Sequence, residues 1–296
     1  MRFVIAGGSG FLGSHLIDHL RGGGHEVTQL IRRTPSSLDQ SLWQPAEGVI
    51  DADVVAAADV VVNLAGSPTA GNPHSEKWAS ELRESRVSTT RLLADTIAAT
   101  GGTTTFLAGN GISFYGDHGD QVVTEDSDSR GNALLTSVTN EWQAAAEPAA
   151  AAGARVCVLR TAPVMDAASP PLKQLKLLFK LGLGSRLGDG SQYFPMISLR
   201  DWVGAVAHLA ADEDATGPFN LCCPATPTNQ EFTHALAEQV GRKAFLAAPK
   251  AVLKVAAGEM APELLGSVNA RPAALLERGY AFADSDVRSV LARALR

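Results

Sequence analysis

The first thirteen residues constrain this chain more than any other stretch. Residues 2–6 form a short, largely apolar run of β type, and Gly7, Gly10 and Gly13 then follow at intervals of three. The last two of these fall where an amphipathic pattern opens at Phe11. A strand that turns sharply into a helix needs a residue without a Cβ at the corner. A second glycine lets the backbone approach a pyrophosphate, and a third lets the helix pack closely on the sheet. The phosphates then lie against free N–H groups at the positive end of the helix dipole. The pattern reads as a dinucleotide-binding turn, with an ordinary strand-turn-helix corner as the alternative.

Beyond it, apolar runs predict strands at 26–31, 60–64, 104–108 and 155–160. Helical spacing predicts helices at 11–20, 76–99, 134–152 (with Pro148 as a kink), 172–181, 251–257, 273–277 and 287–295. Thr228 and Glu231 form a capping-box pattern that opens a helix reaching Val240. Residues 111–133 are rich in Gly, Asp and Ser without periodicity, the signature of a long functional loop. Alternating strands and helices predict an α/β Rossmann fold, a doubly wound and mostly parallel sheet. Its expected extent is residues 1–165, with strands able to return from the C-terminal half, and a smaller, mostly helical substrate lobe at 166–296.

Composition narrows the partners. A net charge of −6 over 296 residues argues against a nucleic-acid surface. No basic leader precedes the first strand and no apolar run approaches the length of a membrane span, so the expectation is a cytoplasmic protein without a membrane partner. Cys157, Cys222 and Cys223 have no Cys-x-x-Cys spacing and read as buried thiols, and the seven scattered histidines suggest no metal site.

Several stretches together resemble a known group: Gly7-Gly-Ser-Gly-Phe-Leu-Gly13, Asn63-Leu-Ala-Gly66, Arg83-Glu-Ser-Arg-Val87, Leu159-Arg-Thr161, Phe179-Lys-Leu-Gly-Leu-Gly184, Gly188-Asp-Gly-Ser-Gln-Tyr-Phe-Pro195, Gly217-Pro-Phe-Asn220 and Gly258-Glu-Met260. They are similar to the extended short-chain dehydrogenase/reductase proteins, and within these to an epimerase-like branch that ends in a C-terminal segment of unknown function. The resemblance implies a nicotinamide cofactor held by Gly7, Ser9, Gly10, Phe11, Leu12 and Gly13, and a small-molecule substrate in a cleft between the Rossmann domain and the C-terminal lobe. It also implies that Asn63, Leu64, Ala65, Gly66 and Ser67 line the adenine-ribose and pyrophosphate side, and that Thr161, Pro163 and Val164 lie near the nicotinamide.

The residues after the second strand select the cofactor. An NAD site usually places Asp or Glu there, to hold the ribose 2′-hydroxyl. Here Arg32 and Arg33 follow the strand and no acid appears until Asp39. Guanidinium suits a 2′-phosphate, so the expectation is NADP(H), with a solvated basic turn as the alternative.

Catalysis has less to work with. The family's usual Tyr-x-x-x-Lys is absent: the residues four after the three tyrosines are Gly119, Ile197 and Asp284, and no lysine falls between Lys77 and Lys173. Ser137 and Glu141 occupy the two positions of the motif, and Gly111 stands where a serine is usual. Tyr115, Ser113 and Glu141 are the remaining catalytic candidates. Phe194 replaces an arginine that meets the diphosphate in sugar-nucleotide enzymes. Arg83 and Arg86 face either a cleft or surface ion pairs, and Lys173, Lys176, Lys180 and Arg186 either attract an anion or form a solvated basic face. Two functions compete: an NADP(H)-dependent oxidoreductase or epimerase-like enzyme with a non-standard proton donor, and an NADP(H)-binding sensor or scaffold without turnover.

Overall fold

A computed structural model describes residues 1–296, Pro171 excepted. Strands β1 (Arg2–Ala6) and β2 (Glu26–Ile31) flank helix α1 (Phe11–Gly22). Strands β3 (Gln40–Gln44) and β4 (Val49–Ile50), helix α2 (Ala52–Ala56), strand β5 (Val60–Asn63), helix α3 (Glu76–Ala99) and strand β6 (Thr105–Gly111) follow. Then come β7 (Val122–Val123), α4 (Leu134–Ala144), α5 (Glu147–Ala151), β8 (Val156–Thr161), β9 (Val164–Met165) and α6 (Pro170–Lys180). The chain continues through β10 (Ser185–Leu187), β11 (Ile197–Ser198), α7 (Leu199–Ala211), β12 (Gly217–Leu221), α8 (Asn229–Gln239), β13 (Leu246–Ala248) and α9 (Lys250–Ala257). Helix α10 (Ala261–Leu265), β14 (Asn269–Ala270), α11 (Ala273–Glu277) and α12 (Val287–Ala294) complete it.

The main sheet has eight strands in the order β12-β8-β6-β5-β1-β2-β3-β4. Strand β1 pairs in parallel with both β2 and β5, β2 with β3 and β5 with β6, whereas β4 runs antiparallel on β3 at the edge. Central strands buried on both faces read as continuous apolar runs, and all four residues of β5 are buried. On one face, alternate residues Val4, Ala6, Val61, Phe106, Ala108, Val156 and Val158 form a core with Leu93, Ala94 and Ile97 of α3. Period two on the strands thus meets the three-four spacing of the helix.

By contact the chain divides into two compact units. The first comprises residues 1–110, 138–159 and 206–218, and the second 111–137, 160–205 and 219–296. The units interleave along the sequence, and the contacts do not divide at a single junction after 165. The expected helix at 134–152 is two helices, because Pro148 lies in the first turn of α5 and a proline cannot continue the preceding helix. The stretch 111–133 is not structureless. A 3₁₀ turn spans Ile112–Tyr115, and β7 pairs in parallel with β14. Asp117 Oδ1 accepts from the Ser267 N–H at 3.2 Å, and the His118 N–H donates to the Ser267 carbonyl at 2.9 Å. Among the described residues no helix is long and apolar enough to cross a membrane.

Candidate functional site

In the first unit the glycine turn is built as tightly as its sequence requires. Gly7 has φ +81°, and a Cβ there would lie 2.6 Å from the Leu64 carbonyl carbon. A Cβ on Gly13 would run into the Gly7 carbonyl oxygen. Gly10 differs: its φ is −78°, and a Cβ would meet only the Gly7 oxygen, at 3.2 Å. Gly10 is the N-cap of α1, no side chain caps the helix, and its first turn holds no acid. The opening N–H groups, around exposed Ser9 and half-buried Phe11 and Leu12, are thereby left for an anionic ligand.

The segment after β5 lies against this turn. Asn63 is fully buried, and its side chain is consumed: Nδ2 donates to Thr90 Oγ1 at 2.8 Å and Oδ1 accepts from the Ala65 N–H at 3.0 Å. It shapes Leu64, Ala65 and Gly66 rather than reaching a ligand itself. The Ser67 N–H donates to Ser85 Oγ at 2.9 Å, tying the segment to α3. Beneath Gly66 lies Arg86, whose Cζ would be 3.2 Å from a Cβ added there. Arg86 donates to the Leu82 carbonyl at 3.0 Å and lies 5.3 Å from the centroid of the Trp142 ring. Burial pushes its guanidinium pKa down to about 10, and no carboxylate among the described residues pairs with it.

At the end of β2, Arg32 and Arg33 are exposed and form no ion pair with another described residue. Asp39, the first acid beyond them, is held by Arg21 at 2.5 Å, and its hydrogen bond from Ser37 together with that arginine keeps its pKa below the usual carboxylate value. These residues fit a phosphate-rich dinucleotide: an uncapped helix start, a backbone kept bare by glycine, and cations without acids. Glu141 is exposed and paired with Arg83.

The second unit holds the other candidates, Tyr115 and Ser113. Tyr115 is fully buried. Its hydroxyl donates to Asn220 Oδ1 at 2.7 Å and accepts from Arg160 at 2.8 Å, and burial pushes its pKa up to about 12. Arg160 stacks 3.6 Å above the Phe114 centroid and also donates to the Glu125 carbonyl at 3.1 Å. Glu125 in turn accepts from the Asn220 N–H at 2.9 Å, and burial raises its carboxyl pKa. The phenol is engaged on both sides in a buried polar cluster with Arg160 and Asn220.

Ser113 is placed differently. It is half-buried, two residues beyond the end of β6, and its hydroxyl donates to Glu263 Oε2 at 2.7 Å. Glu263, on α10, is half-buried, and burial raises its carboxyl pKa while the Ser113 hydrogen bond works against that rise. Sequence reasoning missed Glu263 because it lies 150 residues from Ser113 and no local pattern joins them. Thr161, Pro163 and Val164 also belong to this unit. Thr161 accepts from Trp202 Nε1 at 3.2 Å, the Pro163 carbonyl accepts from the Ile197 N–H at 3.2 Å, and Val164 is buried in the short pairing of β9 with β11. Phe194 packs on Phe232 with ring centroids 5.1 Å apart.

Comparison with known proteins follows the same lines. Residues 3–222 match the NAD dependent epimerase/dehydratase family, and residues 248–294 match a domain of unknown function, DUF1731. The chain is 37% identical over 289 residues to the epimerase family protein Mb2239 of Mycobacterium bovis, covering 97% of this chain and 95% of that protein. It is 31% identical over 301 residues to the human epimerase family protein SDR39U1, with 98% of each covered. A crystal structure of human SDR39U1 (isoform 2) with NADPH superposes with a TM-score of 0.87 at 28% identity, covering 100% of this chain and 99% of that one. A nucleoside-diphosphate sugar epimerase from Corynebacterium glutamicum gives 0.82 at 32% identity, and there this chain matches 58% of a longer protein. The glycine turn, the parallel sheet and these matches agree, and the chain belongs to the NAD-dependent epimerase/dehydratase family.

Proposed function

We propose that the chain is an NADP(H)-dependent oxidoreductase or epimerase-like enzyme for a small molecule bearing a carbonyl or hydroxyl group, with Glu263 and Ser113 handling the proton. One observation carries the cofactor preference: Arg32 and Arg33 are exposed and unpaired, while the nearest acid, Asp39, is neutralised by Arg21. The NADPH in the human relative supports the same reading. The nicotinamide supplies hydride chemistry when bound. The opening N–H groups of α1 would hold the pyrophosphate, and Arg32 and Arg33 would hold the 2′-phosphate. Glu263, whose carboxyl pKa burial raises, gives a proton to the substrate oxygen, and Ser113 orients that oxygen. Support for this site comes from β6: open α/β sheets bind ligands beyond the carboxyl ends of their strands, and Ser113 follows that end directly.

A second reading, an NADP(H)-binding protein without turnover, is favoured by the way Tyr115 and Glu141 are both spent on structure. Fluorescence titration tests the cofactor. NADPH is expected to bind about tenfold or more tighter than NADH, because charge-assisted hydrogen bonds are worth roughly 1.5–3 kcal/mol, and Arg32→Ala/Arg33→Ala removes the difference. Equal affinities would sink the assignment. A screen of NADPH oxidation against carbonyl compounds separates the two readings. Turnover that falls about 10²–10⁴-fold in Glu263→Gln supports the enzyme, and tight binding with no oxidation of any carbonyl favours the sensor. Epimerisation of nucleotide sugars is expected to be negligible, since Phe194 is packed against Phe232 where the diphosphate-reading arginine is usual.

A further inference from the structure

We propose that one face of the second unit, built from α6, β10, β13 and α9, adsorbs to the surface of an anionic lipid bilayer, a property independent of the proposed chemistry. The face is set apart by charge. Residues 170–188 contain Lys173, Lys176, Lys180 and Arg186, and residues 241–258 contain Arg242, Lys243, Lys250 and Lys254. Neither stretch contains Asp or Glu, in a chain whose net charge is −6.

The same two stretches leave large apolar side chains in solvent. Leu177, Leu178, Leu181 and Leu183 are exposed in the first, and Leu246 and Val252 in the second, where Phe245 is 80% and Val255 76% exposed. Helix α9 has eight residues and none of them is buried. An amphipathic helix gains most of its stability by burying its apolar side, so α9 is built for a surface outside the unit. The pieces are joined. Strand β10 pairs with β13, bringing Ser185 opposite Leu246, and Arg242 Nε donates to the Lys180 carbonyl at 3.1 Å. Acids stand at the rim: Asp189 pairs with Lys250 at 2.8 Å, and exposed Glu259 follows the second stretch directly.

Exposed apolar patches of this kind mark an interaction surface. A second copy is disfavoured, because a twofold contact sets the same patch against itself and brings like charges together. A bilayer with anionic headgroups answers both halves of the face: leucine, valine and phenylalanine enter the headgroup–acyl boundary, and lysine and arginine meet the negative surface. Expecting no membrane partner from the lack of a span does not bear on adsorption, which needs none.

Co-sedimentation with vesicles of phosphatidylcholine, alone or with about 30% phosphatidylglycerol, tests the proposal. Binding is expected to be about tenfold or more tighter on the anionic vesicles and to weaken as salt rises. Lys173→Glu/Lys176→Glu/Lys180→Glu should lose about tenfold or more of that binding, and Phe245→Ser/Val255→Ser should lose it as well. Circular dichroism and NADPH titration certify each variant as folded, and Lys254→Glu, on the exposed side of α9, replaces any that is not. Equal binding to both vesicle types, or none to either, overturns the proposal. So does a dimer in sedimentation equilibrium that Phe245→Ser/Val255→Ser converts to monomer.

Discussion

Two glycines three residues apart do different work, and substitution separates them. At Gly7 the positive φ and the approach to Leu64 both exclude a side chain, so Gly7→Ala is expected to cost about 1–3 kcal/mol of stability, read as a lowered denaturant midpoint. At Gly10 the backbone is ordinary and a Cβ meets only the Gly7 oxygen, a tight contact at 3.2 Å that asks the turn to give slightly, so Gly10→Val should fold with a modestly lowered midpoint yet lose NADPH binding. Normal NADPH affinity in Gly10→Val would reduce the turn to a structural corner. Tyr115 makes the opposite case, of a catalytic candidate whose hydroxyl is held by Arg160 and Asn220. Tyr115→Phe removes the partner of both Arg160 and Asn220 in a buried setting, so it should destabilise by about 1–3 kcal/mol. Turnover per folded molecule should stay unchanged, and a selective loss of turnover with unchanged stability would return the phenol to the mechanism.

At the scale of elements, two desolvated carboxyls, buried Glu125 and half-buried Glu263, tie stability to pH with an unusual sign. Burial raises the carboxyl pKa of both Glu125 and Glu263, so the folded state holds these protons more tightly than the unfolded chain does. Their contribution is complete below the unfolded glutamate pKa and is lost as pH rises through the higher folded values. Glu263→Gln on α10 is therefore expected to flatten the decline of melting temperature above the ordinary glutamate range, and an unchanged slope would show that the carboxyl is not buried as described. Legibility of the elements followed the same physics. The bounds of α3 were readable because Ser75 caps it and its apolar spacing is regular. Strand β3 and the edge strand β4 were missed because each is short and only partly buried. Helix α7 escaped notice although its apolar and polar sides are at least as distinct as those of α1 and α3. Of the candidate site, the glycine turn and the two arginines were local signals. The partners of Ser113 and Tyr115, Glu263 and Asn220, lie 150 and 105 residues away, where no spacing rule reaches.

On the scale of the molecule, the second unit depends on its last stretch. Strand β14 pairs with β7, and Glu125 takes backbone hydrogen bonds from Ala273 and Ala274, at the start of α11. A chain shortened to residue 268 is expected to expose 112–137 to protease, while the intact protein resists; equal resistance would show that β14 and α11 are dispensable. The pairing of Asp117 with Ser267 also has a consequence for synthesis, since the two are 150 residues apart. At about 5–20 residues per second a ribosome needs roughly 8–30 s to cover that interval. Throughout it the segment around β7 waits, with its hydrogen-bonding edge bare and Val122 and Val123 unmatched. The polar, glycine-rich composition of 111–133, which reads as a loop, is then what keeps a waiting segment soluble until its partner is made.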